Sequence, residues 1–243
     1  MAAEDTSPQA LLEKFKLGDD DLAAWEQSGR DESAFLDWLI DRLARRPTGT
    51  RARRVYGDES VHDFARRAIL DALQLSAQDR LLEIGCGGGL LLRDALATGA
   101  AATGIDHSAE MVALARQRAP AATVLEASAE ALPFEQASFT AVAMSIVFFF
   151  LSDPVAALQE CARVLQPRGR LALYTTAPEL RGTPAAPEPI ASLGHFHSDQ
   201  ELVSFAQEAG FQQVAVVNND GGQLLTGRFD PRTQLDPGLS YSA

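Results

Sequence analysis

Two regimes of apolar and polar positions divide the chain. In the first fifty residues apolar side chains recur at helical spacing, whereas further on short apolar runs alternate with helical segments. Ser7 and Pro8 make an N-cap and first-turn pair for an opening helix, with Gly18 as its stop. Asp31 caps a second, "ESAFLDWLIDRLARR", with Phe35, Leu36, Leu39, Ile40 and Leu43 along one stripe. Residues 47–50 break the pattern, and Ser60 caps "VHDFARRAILDAL". Strands are then predicted at 80–84, 102–106, 122–126, 139–144 and 169–175. Helices fall between them at 90–97, 109–118 and 154–166. Gly99 closes the first of these helices, Ser108 opens the second and Asp153-Pro154 the third.

Regular alternation of strand and helix implies right-handed βαβ units on a parallel sheet. "FTAVAM" and "LALYTT" are apolar on both faces, as a sheet covered on both sides requires. After Thr176 the Pro-, Ala- and Gly-rich "APELRGTPAAPEPIASLG" reads as a long loop. "SDQELVSFAQEAG" follows, with Ser198 and Glu201 as a capping box and Gly210 at its end. "FQQVAVV" is a strand, "NNDGG" a turn and "QLLTGR" an antiparallel partner. The expected fold class is α/β: a doubly wound, Rossmann-like, mostly parallel sheet with a C-terminal antiparallel hairpin and a helical N-terminal cap. The corresponding boundaries are 1–55 for the cap, 56–228 for the α/β domain and 229–243 for a flexible tail.

Composition narrows the function. The 243 residues are 46% hydrophobic and 22% charged, ordinary for a globular protein with a substantial core. No apolar run is long enough to span a bilayer, and "MAAEDTSPQA" lacks the apolar stretch of a leader, so the chain is expected in the cytoplasm, off the membrane. Its two cysteines, Cys86 and Cys161, suit neither a disulfide framework nor a metal cluster. A net charge of −12 argues against nucleic acid as a partner. Basic residues nevertheless concentrate between Arg42 and Arg67, either as a solvated helix end and loop or as a docking patch for an anion.

The chemistry concentrates in "LLEIGCGGGLLL". Gly85, Gly87 and Gly89 follow the first strand, at the carboxyl edge where an open α/β sheet binds its ligand. There they let a ligand approach the backbone, and the next helix turns free N–H groups toward it. The Gly-Lys-Ser/Thr of a phosphate loop is absent, and Leu90 stands where a dinucleotide motif needs a third small residue. Asp106, at the end of the second strand, is placed to accept both hydroxyls of a ribose.

"LLEIGCGGG", "GIDHSAEMVALAR", "AEALPF" and "ARVLQPRGRLALYT" together resemble the class I S-adenosylmethionine-dependent methyltransferases, in the small-molecule branch related to quinone-biosynthesis enzymes. The resemblance runs from about residue 56 to 217 and rests on four motifs in order. It implies S-adenosyl-L-methionine as cofactor and a small, apolar or aromatic acceptor methylated on O, N or C. By the same resemblance the backbone of Gly85, Cys86, Gly87 and Gly89 holds the methionine end, and Glu83 supports the loop and the amino group. Asp106 takes the ribose, His107 and Met111 flank the adenine, and Ser128 with Ala129 stands where relatives often carry an acid for the adenine amino group. Ser145 joins this set, as does Tyr56, which resembles an aromatic that reaches the methionine end; a core or surface tyrosine is the alternative.

On the acceptor side Phe148, Phe149 and Phe150 either line an apolar pocket or fill core. His62 reads as a surface residue. His195, at the end of the long loop, is the leading candidate for a base, with an exposed histidine beside a cap as the other reading. Residues 177–197 are expected to form a mobile lid. The expected enzyme is a monomer or homodimer. Two rival functions stay open: a catalytically inactive scaffold that keeps the fold, or a cofactor-bound enzyme of another class, such as a cyclase.

Overall fold

The computed structural model describes residues 8–60, 62–219 and 222–231. Five parallel strands form the centre: β1 (Arg80–Ile84), β2 (Ala101–Asp106), β3 (Thr123–Glu126), β4 (Phe139–Ser145) and β5 (Leu165–Thr176). β6 (Phe211–Asn219) and β7 (Gly222–Phe229) complete a sheet of order β3-β2-β1-β4-β5-β7-β6, with β7 antiparallel to both neighbours. β1 therefore lies between β2 and β4, the point at which the strand order reverses and an open crevice forms at the carboxyl ends. The expected α/β class and C-terminal hairpin are both present.

Alternate residues of each central strand enter different cores. On one face Leu82, Ile84, Val142 and Met144 pack with Leu158 and Cys161 of α8 (Pro154–Val164) and with Leu202 and Ala206 of α10 (Asp199–Glu208). On the other, Leu81, Ala141 and Ala143 meet Ile69 of α5 (Asp63–Leu73), Leu92 of α6 (Leu90–Ala97) and Val112 of α7 (Ala109–Arg118). Such two-sided burial explains why these strands lack alternation in sequence. α8 ends two residues earlier than expected, because Pro167 bars its predecessor from the helical region, and β5 starts at Leu165.

The N-terminal segment has a small core of its own. Leu11 and Leu12 of α1 (Pro8–Lys14) meet Phe35, Trp38 and Leu39 of α3 (Phe35–Ile40), and Trp25 of α2 (Asp19–Ser28) packs edge-on to Phe35 at 5.0 Å between centroids. Gly18 does not stop α1 but precedes α2, where its N–H donates to Asp21 Oδ2 at 3.0 Å. Leu36 is 36% exposed while Trp38 is buried, so the expected stripe is rotated. A π-helical turn over Asp41–Arg45 causes a further shift. Ser7 and most of the C-terminal segment 229–243 lie outside the described residues.

These helices lie over the crevice. Pro47 accepts from Ser108 Oγ (2.8 Å) and the Gly49 N–H donates to Glu110 Oε2 (2.8 Å), which brings α4 (Gly49–Gly57) against the start of α7. Much of the basic cluster is consumed in this framework. Arg42 pairs with Asp21, Arg45 with Asp37 and Asp41, Arg53 with Glu110, and Arg66 with Asp63 and Asp94. No helix among the described residues is long and apolar enough to cross a membrane.

Candidate active site

The turn after β1 is built by conformation first. Gly87 has φ +48 and Gly89 φ +78, in the left-handed region that side-chain-bearing residues resist. A Cβ on Gly89 would also fall 2.8 Å from the Ala115 Cα, so that glycine lets α7 pack closely. Asp106 fastens the turn from below: Oδ2 accepts the Gly87 N–H and Oδ1 the Ser108 N–H, both at 2.9 Å. Each carboxylate oxygen keeps a second acceptor direction. Arg118 fastens it from outside, donating to the carbonyls of Gly88, Tyr56 and Gly57.

Electrostatics make the site receptive to a cation. Glu83 of β1 is 3% exposed, and Oε2 has no hydrogen-bond partner in the structure. Burial, and then the neighbouring Asp106 carboxylate, push its pKa well above the usual carboxylate value. Asp106 is raised too, chiefly by burial. Two close carboxylates, one of them short of a donor, fit a positively charged, hydrogen-bonding group.

Three adjoining cavities open here. The first, of about 190 Å³, is lined by Gly85, Asp106, His107, Ser128 and Ala129 on the sheet side and by Ala44, Tyr56 and His62, which precede β1. The second, about 70 Å³, lies along Glu83, Gly85, Cys86 and Gly87. The third is the largest at about 410 Å³ and mostly apolar, walled by Phe64, Ile146, Phe149, Phe150, Tyr174 and Ile190. Tyr56 and His62 border all three, and Ile146 borders the first and third. Ile146 has φ +57, a strained conformation for a β-branched residue, held by its N–H to the Tyr174 carbonyl at 2.8 Å.

The methyltransferase domain family matches residues 82–173, which run from β1 into β5. A ubiquinone biosynthesis O-methyltransferase of Xanthomonas oryzae pv. oryzae is 40% identical over 112 residues, covering 44% of this chain and 45% of that protein. A 27-O-demethylrifamycin SV methyltransferase of Amycolatopsis mediterranei is 37% identical over 181 residues, covering 68% of this chain and 65% of that protein. A solved structure from Thermotoga maritima, a SAM-dependent methyltransferase described as a possible histamine N-methyltransferase, superposes with a TM-score of 0.62 at 24% identity, over 79% of this chain and 98% of that one. Residues 82–173 match the methyltransferase domain family, and the fold is that of the S-adenosylmethionine-dependent methyltransferases. The chain spans about half the length of the first relative and just under two thirds of the second.

The predicted residues separate into three groups. Tyr56, Glu83, Gly85, Cys86, Gly87, Asp106, His107, Ser128, Ala129 and Ser145 all border the first or second cavity. Gly89 and Met111 do not. Gly89 serves the contact with Ala115, and the Met111 side chain is fully buried while its N–H donates to Ser108 Oγ. His195 is exposed and borders none of the three, its N–H donating to the Phe149 carbonyl at 2.7 Å. His62, expected at the surface, borders the 410 Å³ cavity. The reason is local: α5 starts at Asp63, not after Ser60, and His62 precedes it at φ +57, outside the helix it was assigned to.

The phenylalanine run divides likewise. Phe148 is core, T-shaped to His197 at 5.8 Å, whereas Phe149 and Phe150 line the large cavity. The segment after β5 is more ordered than its composition suggests. It holds a 3₁₀ turn at Pro178–Leu180 and a short α9 (Ile190–Leu193), Ala186 is fully buried, and Arg181 Nε donates to the Ala191 carbonyl at 2.7 Å. Leu180, Ala185 and Ile190 close one side of the 410 Å³ cavity.

Proposed function

We propose that this chain transfers a methyl group from S-adenosyl-L-methionine to a small, apolar or aromatic acceptor, at oxygen, nitrogen or carbon. The observation that carries the reading is the junction, at Tyr56, His62 and Ile146, of a crevice bearing Asp106, His107 and Ser128 with a larger, more apolar cavity. Two compartments with shared walls suit a donor and an acceptor that must meet at one atom. The names of the two curated relatives, each an enzyme of small-molecule methylation, support the acceptor class.

The residues fit the donor. The unpartnered Glu83 Oε2 suits an amino group, and the 70 Å³ cavity along Gly85–Gly87, bordered by Tyr56, suits the methionine end. The remaining acceptor directions of Asp106 suit ribose hydroxyls, with His107, Ser128 and Ala129 around the base. When bound, the donor supplies an electrophilic methyl group on a sulfonium. The protein supplies alignment and dryness: Phe149, Phe150, Tyr174 and Ile190 exclude water from the acceptor and hold it beside Ile146. In this reading residues 1–55 act as a cap over the catalytic domain 56–228, and residues 177–197 act as the lid.

Calorimetry with S-adenosylhomocysteine tests the donor site, and saturable binding is expected. Mass spectrometry after incubation with donor and a set of hydroxylated aromatics tests transfer, with a gain of one methyl expected. Binding with turnover but no mass gain would move the protein to a cofactor-bound enzyme of another class, and binding with no turnover of any kind to a scaffold.

A further inference from the structure

Methylation at an oxygen has a requirement that alignment does not meet: the attacking hydroxyl must lose its proton. We propose that His62 is the general base of this site and that it serves an aromatic hydroxyl held in the 410 Å³ cavity. The proposal rests on the methyl-transfer reading above and adds the acceptor's attacking group and the residue that deprotonates it.

Position is the first argument. His62 borders the two smaller cavities and the 410 Å³ cavity at once, so it stands at the boundary where donor and acceptor would meet. Among the described residues lining the acceptor cavity it is the sole imidazole, and no carboxylate, lysine or arginine lines that cavity. An amine acceptor, arriving as a cation, would find no counter-charge on those walls, whereas a neutral aromatic ring is matched by Phe64, Phe149, Phe150 and Tyr174.

Conformation is the second. His62 sits at φ +57 and ψ 24 at the entry to α5, a left-handed backbone that a residue with a side chain resists. Its side chain makes no capping bond to the helix in return. Its ring instead stands edge-on to Phe64, 6.3 Å between centroids, at the cavity wall.

Protonation is the third, and here the surroundings matter. On the donor side the charged groups nearest the junction are Asp58, Arg66 and Glu83 in one cavity and Arg45, Asp106, His107 and Glu130 in the other. On the acceptor side the titratable groups are the phenols of Tyr56 and Tyr174. Burial is what moves His62, lowering its pKa from the usual 6.5, so at neutral pH the imidazole is uncharged and able to accept a proton. In the step itself the acceptor O–H gives its proton to the imidazole as the oxygen's lone pair bonds to the methyl carbon. The carbon–sulfur bond breaks with its electron pair left on sulfur. The products are the aryl methyl ether, S-adenosylhomocysteine and the His62 imidazolium, which returns its proton to water.

His62→Asn tests this, because asparagine tolerates the left-handed backbone and removes the base. The full chain is assayed with S-adenosylmethionine and either 4-methylcatechol or 1-naphthol, with S-adenosylhomocysteine affinity measured in parallel. The expected result is a kcat lower by about 10²–10⁴-fold near neutral pH, with donor-site affinity unchanged. The deficit should shrink as pH rises and the phenol ionises unaided, a signature that a purely structural role would not give. Equal kcat in both proteins, a loss of donor affinity matching the loss of rate, or a deficit that does not shrink with pH would each overturn the proposal. A wild-type chain that binds S-adenosylhomocysteine but methylates neither phenol would overturn it while leaving the donor site intact. One that binds no S-adenosylhomocysteine would overturn the methyl-transfer reading itself.

Discussion

Arg118 donates through Nη1 to the carbonyl of Gly88 at 2.7 Å and to that of Tyr56 at 2.9 Å, so one guanidinium joins the glycine turn to the last helix of the N-terminal segment. Nη2 adds the Gly57 carbonyl at 3.0 Å. Three carbonyls converging on one planar fork explain why an arginine, rather than a lysine, stands here. Arg118→Lys should therefore loosen Tyr56 against Gly87. Hydrogen bonds to charged groups contribute about 1.5–3 kcal/mol each, so losing one or two should weaken S-adenosylhomocysteine binding by about tenfold or more. Calorimetry checks the affinity, and a melting curve checks that the chain remains folded.

Asp106 has a double task, and that changes what its removal does. In the structure it is buried and satisfies the N–H groups of Gly87 and Ser108. Asp106→Ala should thus destabilise the fold by about 1–3 kcal/mol for each donor left unpaired, besides losing the ligand. Asp106→Asn can keep one of the two bonds and should melt closer to wild type while still binding S-adenosylhomocysteine more weakly. Equal affinity in Asp106→Asn and wild type would remove Asp106 from the ribose site.

How legible was this in the chain? β1, α6 and α7 lie where the sequence puts them, because each boundary has a chemical marker: the glycines after Ile84, Gly99 after α6 and the Ser108 cap. The Ser198–Glu201 capping box was legible for the same reason. The N-terminal segment was not. Asp63 and Ser60 are equally good helix openers on paper, and nothing local reveals that His62 takes a left-handed conformation between them. The π turn at Asp41–Arg45 likewise has no sequence mark. A start of α5 two residues later than a Ser60 cap implies is what places His62 beside the cavities rather than on the helix. The packing of Gly89 and Met111 was hidden for a different reason: it depends on what α7 touches, which a motif does not record.

Glu83 predicts a pH dependence with a definite sign. Its folded pKa lies well above the ordinary 4.5, so between those values the native state holds a proton that the unfolded chain has released. Stability of the ligand-free protein is then full below about pH 4.5, as far as this group is concerned, and falls as pH rises toward the folded pKa. Asp106, also raised, acts in the same direction. Glu83→Gln should flatten the slope without abolishing it, and should weaken S-adenosylhomocysteine binding because an amide cannot ionise against the ligand's amino group. Urea midpoints measured across a pH series check the first effect. A slope unchanged by Glu83→Gln would show that the carboxylate is not the source.

The last prediction separates donor from acceptor. Ile190 of α9 lines the large cavity and neither of the other two, so its truncation should act on the acceptor alone. Removing three carbons from a half-buried wall forfeits about 1–2 kcal/mol of apolar contact, a rise of roughly 5–30-fold in the KM for an aromatic acceptor. Affinity for S-adenosylhomocysteine should stay as it was. The surrounding strap is tied at Arg181 to the Ala191 carbonyl and at His195 to the Phe149 carbonyl, and Ala186 is buried between those ties. If it serves as a lid, opening must break these bonds, and protection of residues 181–185 from proteolysis should increase when donor product and acceptor are both bound. Ile190→Ala with an unchanged KM, together with cleavage insensitive to ligands, would place the acceptor outside this cavity.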